Sequence, residues 1–483
     1  MPADLRRAQP AELTLGQRAR LRLATLAGEA AAVASRAANK GSGASIKGQV
    51  LTRLCPDAFA WLLRGRRVLA VSGTNGKTTT THLLAAAVAE ALGDQADRLV
   101  TNADGANLRY GIASALSQDR RADIAVLETD ERVVSDMIAQ ARPEVLVFLN
   151  FSRDQLDRHH EIKALGKAWR AALERAGQAG PVVVGNASDP LVVWSAQTAA
   201  RVVWVDTPGK WNADSALCPA CGAVLERVAA DTRAAQGCAE AGGSAGVGRT
   251  RDEAAAGAVP VGEAGTGESG GGEAASETGL GPSTSWRCPE CPLAQPEAEY
   301  RVRGGEIVLP DGRAVVPGLR VPGSFNVSNA ALALAAAAAL GIDPDAALRG
   351  MRRVEAPAGR FATARFGATT ARLMLAKNPA GWAEAIALLE SDPVVLAIDS
   401  VAADGKDVSW LWDVDYEQLA GRRVVCTGPR AQDLAVRLGY ADVSHTVAPD
   451  LAEALAGVAG PATVDVIATY TPFQKLLKMA GLR

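Results

Sequence analysis

The sequence predicts an α/β protein. A central domain with a parallel-rich sheet is built on a phosphate-binding loop and carries an inserted four-cysteine zinc ribbon, and a smaller C-terminal α/β domain follows. Three observations predict this. Short apolar runs ending in polar loops alternate with helical patterns, as in a parallel sheet that binds ligands at the carboxyl ends of its strands. The run Arg67 to Ser72 passes through Gly73-Thr74-Asn75-Gly76-Lys77-Thr78-Thr79 into an alanine-rich helical pattern from Thr78 to Leu92. Two Cys-x-x-Cys pairs, Cys218/Cys221 and Cys288/Cys291, bracket a low-complexity stretch.

At 483 residues the chain is long enough for two or three domains. Its net charge of −2 gives no global basic field for nucleic acid. The charged, polar N-terminus has no signal-peptide pattern, and the longest apolar run, Ala330 to Leu340, is too short to span a bilayer. Seven cysteines, four of them in Cys-x-x-Cys pairs, fit a reducing compartment and a metal better than a disulfide framework. The expected location is therefore cytoplasmic, with a substrate that can still be membrane-bound.

Taken in order, Glu12 to Asn39 reads as an amphipathic helix with Leu13, Leu15, Leu21, Leu23 and Leu26 at helical spacing and arginines between them. Docking against the main domain is favoured over membrane binding for it. Residues 41–45 read as a loop, and Pro56 to Leu63 as a short helix. In the phosphate loop, backbone N–H groups and the helix N-terminus would cradle phosphate oxygens, Lys77 would reach the terminal phosphates, and the Thr78 hydroxyl would ligate Mg²⁺. The strand Ile124 to Leu127 ends in Glu128-Thr129-Asp130-Glu131, carboxylates placed where Mg²⁺ ligation is needed. Val145 to Asn150 is a further strand, running into a stretch with Asp154, Asp157, His159, His160 and Glu161. Val182 to Val184 is another.

The four cysteines suit tetrahedral Zn²⁺ in a structural site, since protein fills every position, and this is favoured over a redox dithiol. The ribbon is assigned to residues 211–300. Its halves are separated by a Gly/Ala/Glu/Ser-rich insertion, 229–285, which is expected to be disordered because it cannot bury enough apolar surface. Tyr300 to Val302 and Glu306 to Leu309 read as hairpin strands. Asn326 and Asn329, at the start of a helix from Ala330 to Leu340, would cap it or meet a base edge. A hinge at Glu355 to Arg360 divides the central domain, 1–355, from the C-terminal domain, 356–483. There, strands at Arg372 to Leu375, Val394 to Ile398, Val424 to Thr427 and Val464 to Ala468 alternate with helices at Pro379 to Leu389 and Ala431 to Leu438.

Ser72 to Thr79 resembles the ATP loop of the Mur ligases, the amide-bond synthetases of peptidoglycan precursors. Their Gly-Thr-Asn-Gly-Lys-Thr variant lacks the first glycine of the general phosphate loop, and Val71 stands at that position here. Glu128 to Glu131 is similar to that family's Mg²⁺-binding motif. Asp154 to His160 is similar to its Asp-x-Leu-Asp motif with a following metal-side histidine, here His159. Asn326 and Asn329 match its Asn-x-x-Asn motif near the nucleotide, and Arg360 the Gly-Arg that opens its C-terminal domain. Lys377 to Trp382 and Ala403 to Asp413 are similar to an amidating branch of the family. The sequence departs from that branch at Asp399, where asparagine is common, at His159-His160, where Tyr-Gly is common, and in the length of the ribbon insertion.

The resemblance implies ATP as cosubstrate, bound by Gly73 to Thr79, Asn326 and Arg360, and Mg²⁺ held by Thr78, Glu128 and His159. It implies amidation of the α-carboxylate of D-Glu in the lipid II stem peptide through an acyl phosphate, at the inner membrane face. The ammonia would come from a GatD-type glutamine amidotransferase partner in a heterodimer. Asp404, ahead of Asp407 and Asp413, would complete that partner's Cys-His pair; capping of a turn is the structural alternative. Two other readings stand beside this one. One is a Mur or folylpolyglutamate-type ligase that adds an amino acid. The other is a non-catalytic scaffold docking through the ribbon.

Overall fold

The computed structural model describes residues 13–37, 44–102, 106–119, 121–152, 162–207, 213–229, 284–355, 360–401, 404–458 and 463–482. The stretch containing His159, and all but the ends of the expected insertion, lie outside these residues.

Helix α1 (Leu15–Ala37) buries Leu21, Ala24, Gly28 and Ala32 and packs on α2 (Ala44–Leu54). The docking expected for the first helix is therefore found. Helix α2 itself was not foreseen, and it takes in Ala44 and Ser45 from the expected loop. After α3 (Ala58–Leu63) comes β1 (Arg67–Ser72), which leads through the glycine loop into α4 (Lys77–Leu92). The chain then alternates through β2 (Leu99–Thr101), α5 (Arg109–Gln118), β3 (Ile124–Glu128), α6 (Val134–Asp136), β4 (Val145–Phe148), α7 (Ile162–Ala176), β5 (Val182–Asn186), α8 (Pro190–Ala196) and β6 (Arg201–Asp206).

These six strands are parallel, in the spatial order β6-β5-β4-β1-β3-β2. β3 and β4 are buried at every position, because helices cover both faces of the sheet. That is why they read as unbroken apolar runs instead of alternating ones. Successive β1 side chains divide between two cores. Leu69 and Val71 join Leu83 and Leu84 on one face, while Val68 and Ala70 join Phe59, Ile112 and Trp169 on the other.

The ribbon follows. β7 (Glu226–Ala229) and β8 (Thr284–Arg287) pair antiparallel beside the two cysteine knuckles. Trp286 and Leu293 pack with Cys218, Cys288 and Val193 of α8, and the Trp286 indole donates to the Ala187 carbonyl at 3.1 Å. β9 (Tyr300–Arg303) then extends the main sheet parallel to β6, with β10 (Glu306–Val308) and β11 (Ala314–Val315) antiparallel at its edge. Helices α9 (Phe325–Ala339) and α10 (Pro344–Met351) pack on α4. α9 starts five residues before the expected Ala330, so Asn326 and Asn329 lie inside it and do not cap its end.

The C-terminal domain opens with a hairpin, β12 (Phe361–Phe366) and β13 (Thr369–Leu375), of which only the second strand was foreseen, in part. It continues through α11 (Pro379–Ile386), β14 (Val394–Ala397), β15 (Val424–Thr427), α12 (Ala431–Tyr440), β16 (His445–Val447), α13 (Leu451–Gly457), β17 (Thr463–Ala468) and α14 (Tyr470–Met479). The sheet order is β12-β13-β17-β14-β15-β16, parallel except for β12. The last strand thus threads between β13 and β14. Its Asp465, fully buried, accepts hydrogen bonds from Arg372 Nε at 2.6 Å and from the backbone N–H groups of Glu390 and Ser391.

Candidate active site

The site is built where β1 ends between the carboxyl ends of β3 and β4. The register sets Val71 beside Glu128 and Ser72 beside Phe148. Gly73 (φ 139°) and Gly76 (φ 86°) adopt backbone conformations that L side chains rarely take. The space is closed as well. A Cβ on Gly73 would lie 2.9 Å from Asn150 N, and one on Gly76 would lie 2.5 Å from Asn329 Oδ1. The loop is therefore a tight crossing that only glycine permits at these two points, and α4 starts immediately after it with its N–H groups facing the loop.

Asn150, just past β4, braces the loop from below. Its backbone carbonyl accepts from Thr74 N, its Oδ1 accepts from Asn75 N at 2.9 Å, and its Nδ2 donates to Asn75 O. Ser152 adds a second brace, exchanging hydrogen bonds with Thr74 Oγ1 and accepting from Asn75 Nδ2.

Lys77 lies across the loop. Its ammonium donates to the carbonyls of Gly73 and Thr74 and to Glu131 Oε1 at 2.9 Å. The Thr78 hydroxyl donates to Glu128 Oε2 at 2.8 Å. Glu128 is almost fully buried; Asn107 Nδ2 donates to its other oxygen, and Asn102 bonds both its backbone N–H and its carbonyl. A carboxylate and a hydroxyl fixed this close are hard oxygen donors of the kind Mg²⁺ takes. Asp130, with its side chain mostly buried, lies beside them and pairs with Arg132. Burial alone would raise its carboxyl, but hydrogen bonds from the Arg132 side chain and backbone, with the nearby charges of Arg132 and Lys77, hold it below the usual range.

Residues distant in sequence complete the site. Asn326 and Asn329 are both buried on α9; Asn329 Nδ2 donates to Asn326 Oδ1, and Asn329 abuts Gly76. Arg360 Nη2 donates to Thr78 Oγ1 at 3.3 Å. Asn378, at the N-terminus of α11, caps that helix by accepting from Gly381 N, while its Nδ2 donates to Asn75 Oδ1 at 3.2 Å. Thus Gly73 to Thr79, Glu128, Asn326 and Arg360 come together, and His159 lies outside the described residues. Sequence reading assigned no role to Asn75–Asn378, Glu131–Lys77 or Asn107–Glu128. The Asn378-Pro379 pair was legible as a helix start and as part of the family-like stretch Lys377 to Trp382, but not as a contact to the loop, because that contact is tertiary.

The four ribbon cysteines also converge. Their sulfurs lie within 4.8 Å of one another, with Cys218–Cys291 at 3.6 Å and Cys221–Cys288 at 3.5 Å. Tetrahedral Zn–S bonds of roughly 2.3 Å put sulfurs about 3.8 Å apart, so the set fits zinc. Asp404 lies elsewhere, past the carboxyl end of β14. It is 2% exposed, its Oδ1 accepts from Thr471 N at the start of α14, and its Oδ2 has no hydrogen-bond partner among the described residues.

Two family models match the chain: the Mur ligase middle domain over residues 71–214 and the MurT ligase C-terminal domain over residues 375–473. In overall fold the chain is similar to a pseudomurein peptide ligase type C from Methanothermus fervidus, with a TM-score of 0.57 at 17% identity, covering 86% of this chain and 79% of that one. In fold, phosphate loop and domain matches the chain is similar to the Mur ligases, a class of ATP-dependent ligases. Within that class it is similar to MurT. The Streptococcus pneumoniae protein named lipid II isoglutaminyl synthase (glutamine-hydrolyzing) subunit MurT is 26% identical over 92% of this chain and 93% of its own length. The Staphylococcus aureus protein of the same name is 26% identical over 85% of each.

Proposed function

We propose that this chain is the synthetase subunit of a lipid II isoglutaminyl synthase. It uses ATP to amidate the α-carboxylate of D-Glu in the lipid II stem peptide, with ammonia supplied by a GatD-type glutaminase partner. The observation that carries the reading is likeness to MurT over nearly the whole chain, including the C-terminal domain, where amino-acid-adding ligases would need a pocket for the incoming amino acid.

The chemistry follows from the site. A carboxylate is a poor electrophile until its oxygen becomes a good leaving group. Transfer of the ATP γ-phosphoryl to it gives an acyl phosphate, and ammonia then displaces phosphate. The work asked of the protein is positioning and charge stabilisation. Lys77 and the loop N–H groups would face the transferring phosphoryl, and Asn326 and Arg360 would lie against the nucleotide. Thr78 and Glu128, with His159, would hold Mg²⁺, which when bound neutralises charge on the phosphate oxygens. Ammonia must arrive uncharged, because ammonium has no lone pair, and this favours delivery from a docked partner. Asp404 would orient that partner's imidazole; its Oδ2 has no protein partner among the described residues but is buried, so docking of the partner would have to uncover it. The four cysteines would hold a structural zinc ion.

The test is the purified chain with its glutaminase, ATP, glutamine and lipid II, scored by mass spectrometry for a single acid-to-amide change. Lys77→Ala must abolish product; product from that variant would favour the scaffold reading. Incorporation of an amino acid instead of an amide would overturn the reaction. Asp404→Asn should lose glutamine-dependent amidation while keeping amidation by added ammonium chloride, and unimpaired glutamine use would remove Asp404 from the role.

A further inference from the structure

We propose that the outward face of α1 is a docking surface for an anionic lipid bilayer. The inward face is spoken for: Leu21, Ala24, Gly28 and Ala32 are buried. The opposite face carries Leu15, Leu23, Leu26 and Val33, which are 84, 68, 62 and 58% exposed. At about 3.6 residues per turn these four fall within roughly a quarter of the helix circumference, in a stripe about 27 Å long. Scattered exposed leucines are ordinary, but four in register on one helix are a surface.

Charge identifies the occupant. Exposed Arg18 and Arg22 border the stripe on one side, and Arg20, held by its bond to the Leu54 carbonyl, borders it on the other. The one acidic residue along this border, Glu29, is paired with Lys47 at 3.5 Å. An apolar stripe edged by arginines is the pattern of a helix lying in the plane of a negatively charged membrane surface, with leucines among the upper acyl chains and guanidinium groups at the phosphates. A second copy packed face to face would bring arginine rows together. Residues 1–12 offer only Met1 and Leu5 as large apolar side chains, too few to cover the stripe. No helix among the described residues is long and apolar enough to cross a membrane, so the contact is interfacial. The choice of a bilayer also leans on the proposed lipid-linked substrate. α1 rides on α2, and α2 on α5, whose first turn follows Asn107 of the active site.

The experiment is co-sedimentation of the full chain with vesicles of phosphatidylglycerol and phosphatidylcholine in equal parts, against phosphatidylcholine alone. Binding to the anionic vesicles that weakens with salt is expected. The double variant Leu23→Glu/Leu26→Glu should bind at least about tenfold more weakly, and Arg18→Gln and Arg22→Gln should each cost roughly fivefold. Thermal melting of all variants should match the parent, because the side chains are exposed. Failure of the parent to bind, or full binding by Leu23→Glu/Leu26→Glu, overturns the proposal. So does loss of a dimer or of the glutaminase complex in that variant with vesicle binding intact, which would give the face to a protein. The assay contains no lipid II and no ATP, so failure of amidation leaves the surface standing, and failure of binding leaves amidation standing.

Discussion

Asn378 does two jobs with one amide: its oxygen caps α11 and its nitrogen holds Asn75 of the phosphate loop. The two can be separated. In Asn378→Asp the carboxylate still accepts from Gly381 N but cannot donate to Asn75, so the helix cap should hold while ammonia-driven amidation falls roughly tenfold to a hundredfold. Asn378→Ala should lose the cap too, at about 1 kcal/mol. Equal kcat/KM in Asn378→Asp and the parent would reduce Asn378 to a cap. At this scale the site was partly legible in sequence. Lys77, Thr78 and Glu128 follow from strand ends and loop chemistry, whereas Asn378, some 300 residues from its partner, carried a helix start and a family resemblance but no sign of that contact.

Among elements, β17 and the ribbon make the clearest demands. Asp465 sits on the central strand β17, where burial would raise its carboxyl. Arg372 and two backbone N–H groups reverse this and hold it below the usual range. A depressed folded-state value contributes stability that is complete above the unfolded carboxylate range and is lost as pH falls through the folded one. The C-terminal domain should therefore weaken in acid below about pH 4. Asp465→Asn should cost about 3 kcal/mol at neutral pH and flatten that dependence, both readable from denaturant melts at several pH values. The ribbon should contain one zinc per chain by elemental analysis, and Cys288→Ser should abolish it. A metal-free parent with four reactive thiols would refute the site. Buried strands were legible because two-sided burial leaves unbroken apolar runs. β12 was not, since Phe361 to Phe366 mixes arginine, threonine and alanine along a largely half-exposed edge strand. The start of α9 was hidden because its first five residues include two asparagines, of which Asn326 bonds back to the Pro322 carbonyl and Asn329 abuts the loop at Gly76.

For the whole molecule, two largely parallel sheets present carboxyl-end loops to one another. Arg360 reaches Thr78, and Asn378, just past β13, reaches Asn75. The alternation of strands and helices foretold both sheets, but their meeting is a property of three-dimensional packing and left no mark in sequence periodicity. The contact also obliges a symmetry. A domain that grips the nucleotide loop on one side and, under the proposed function, the glutaminase on another links two binding equilibria. Whatever factor nucleotide adds to glutaminase affinity, glutaminase must add to nucleotide affinity. A non-hydrolysable ATP analogue should tighten the complex measured by calorimetry, the glutaminase should tighten the analogue by the same ratio, and Asn378→Asp should shrink both ratios together. Fuel and ammonia supply would then report on each other through the two side chains, Asn378 and Arg360, that join the C-terminal domain to the loop.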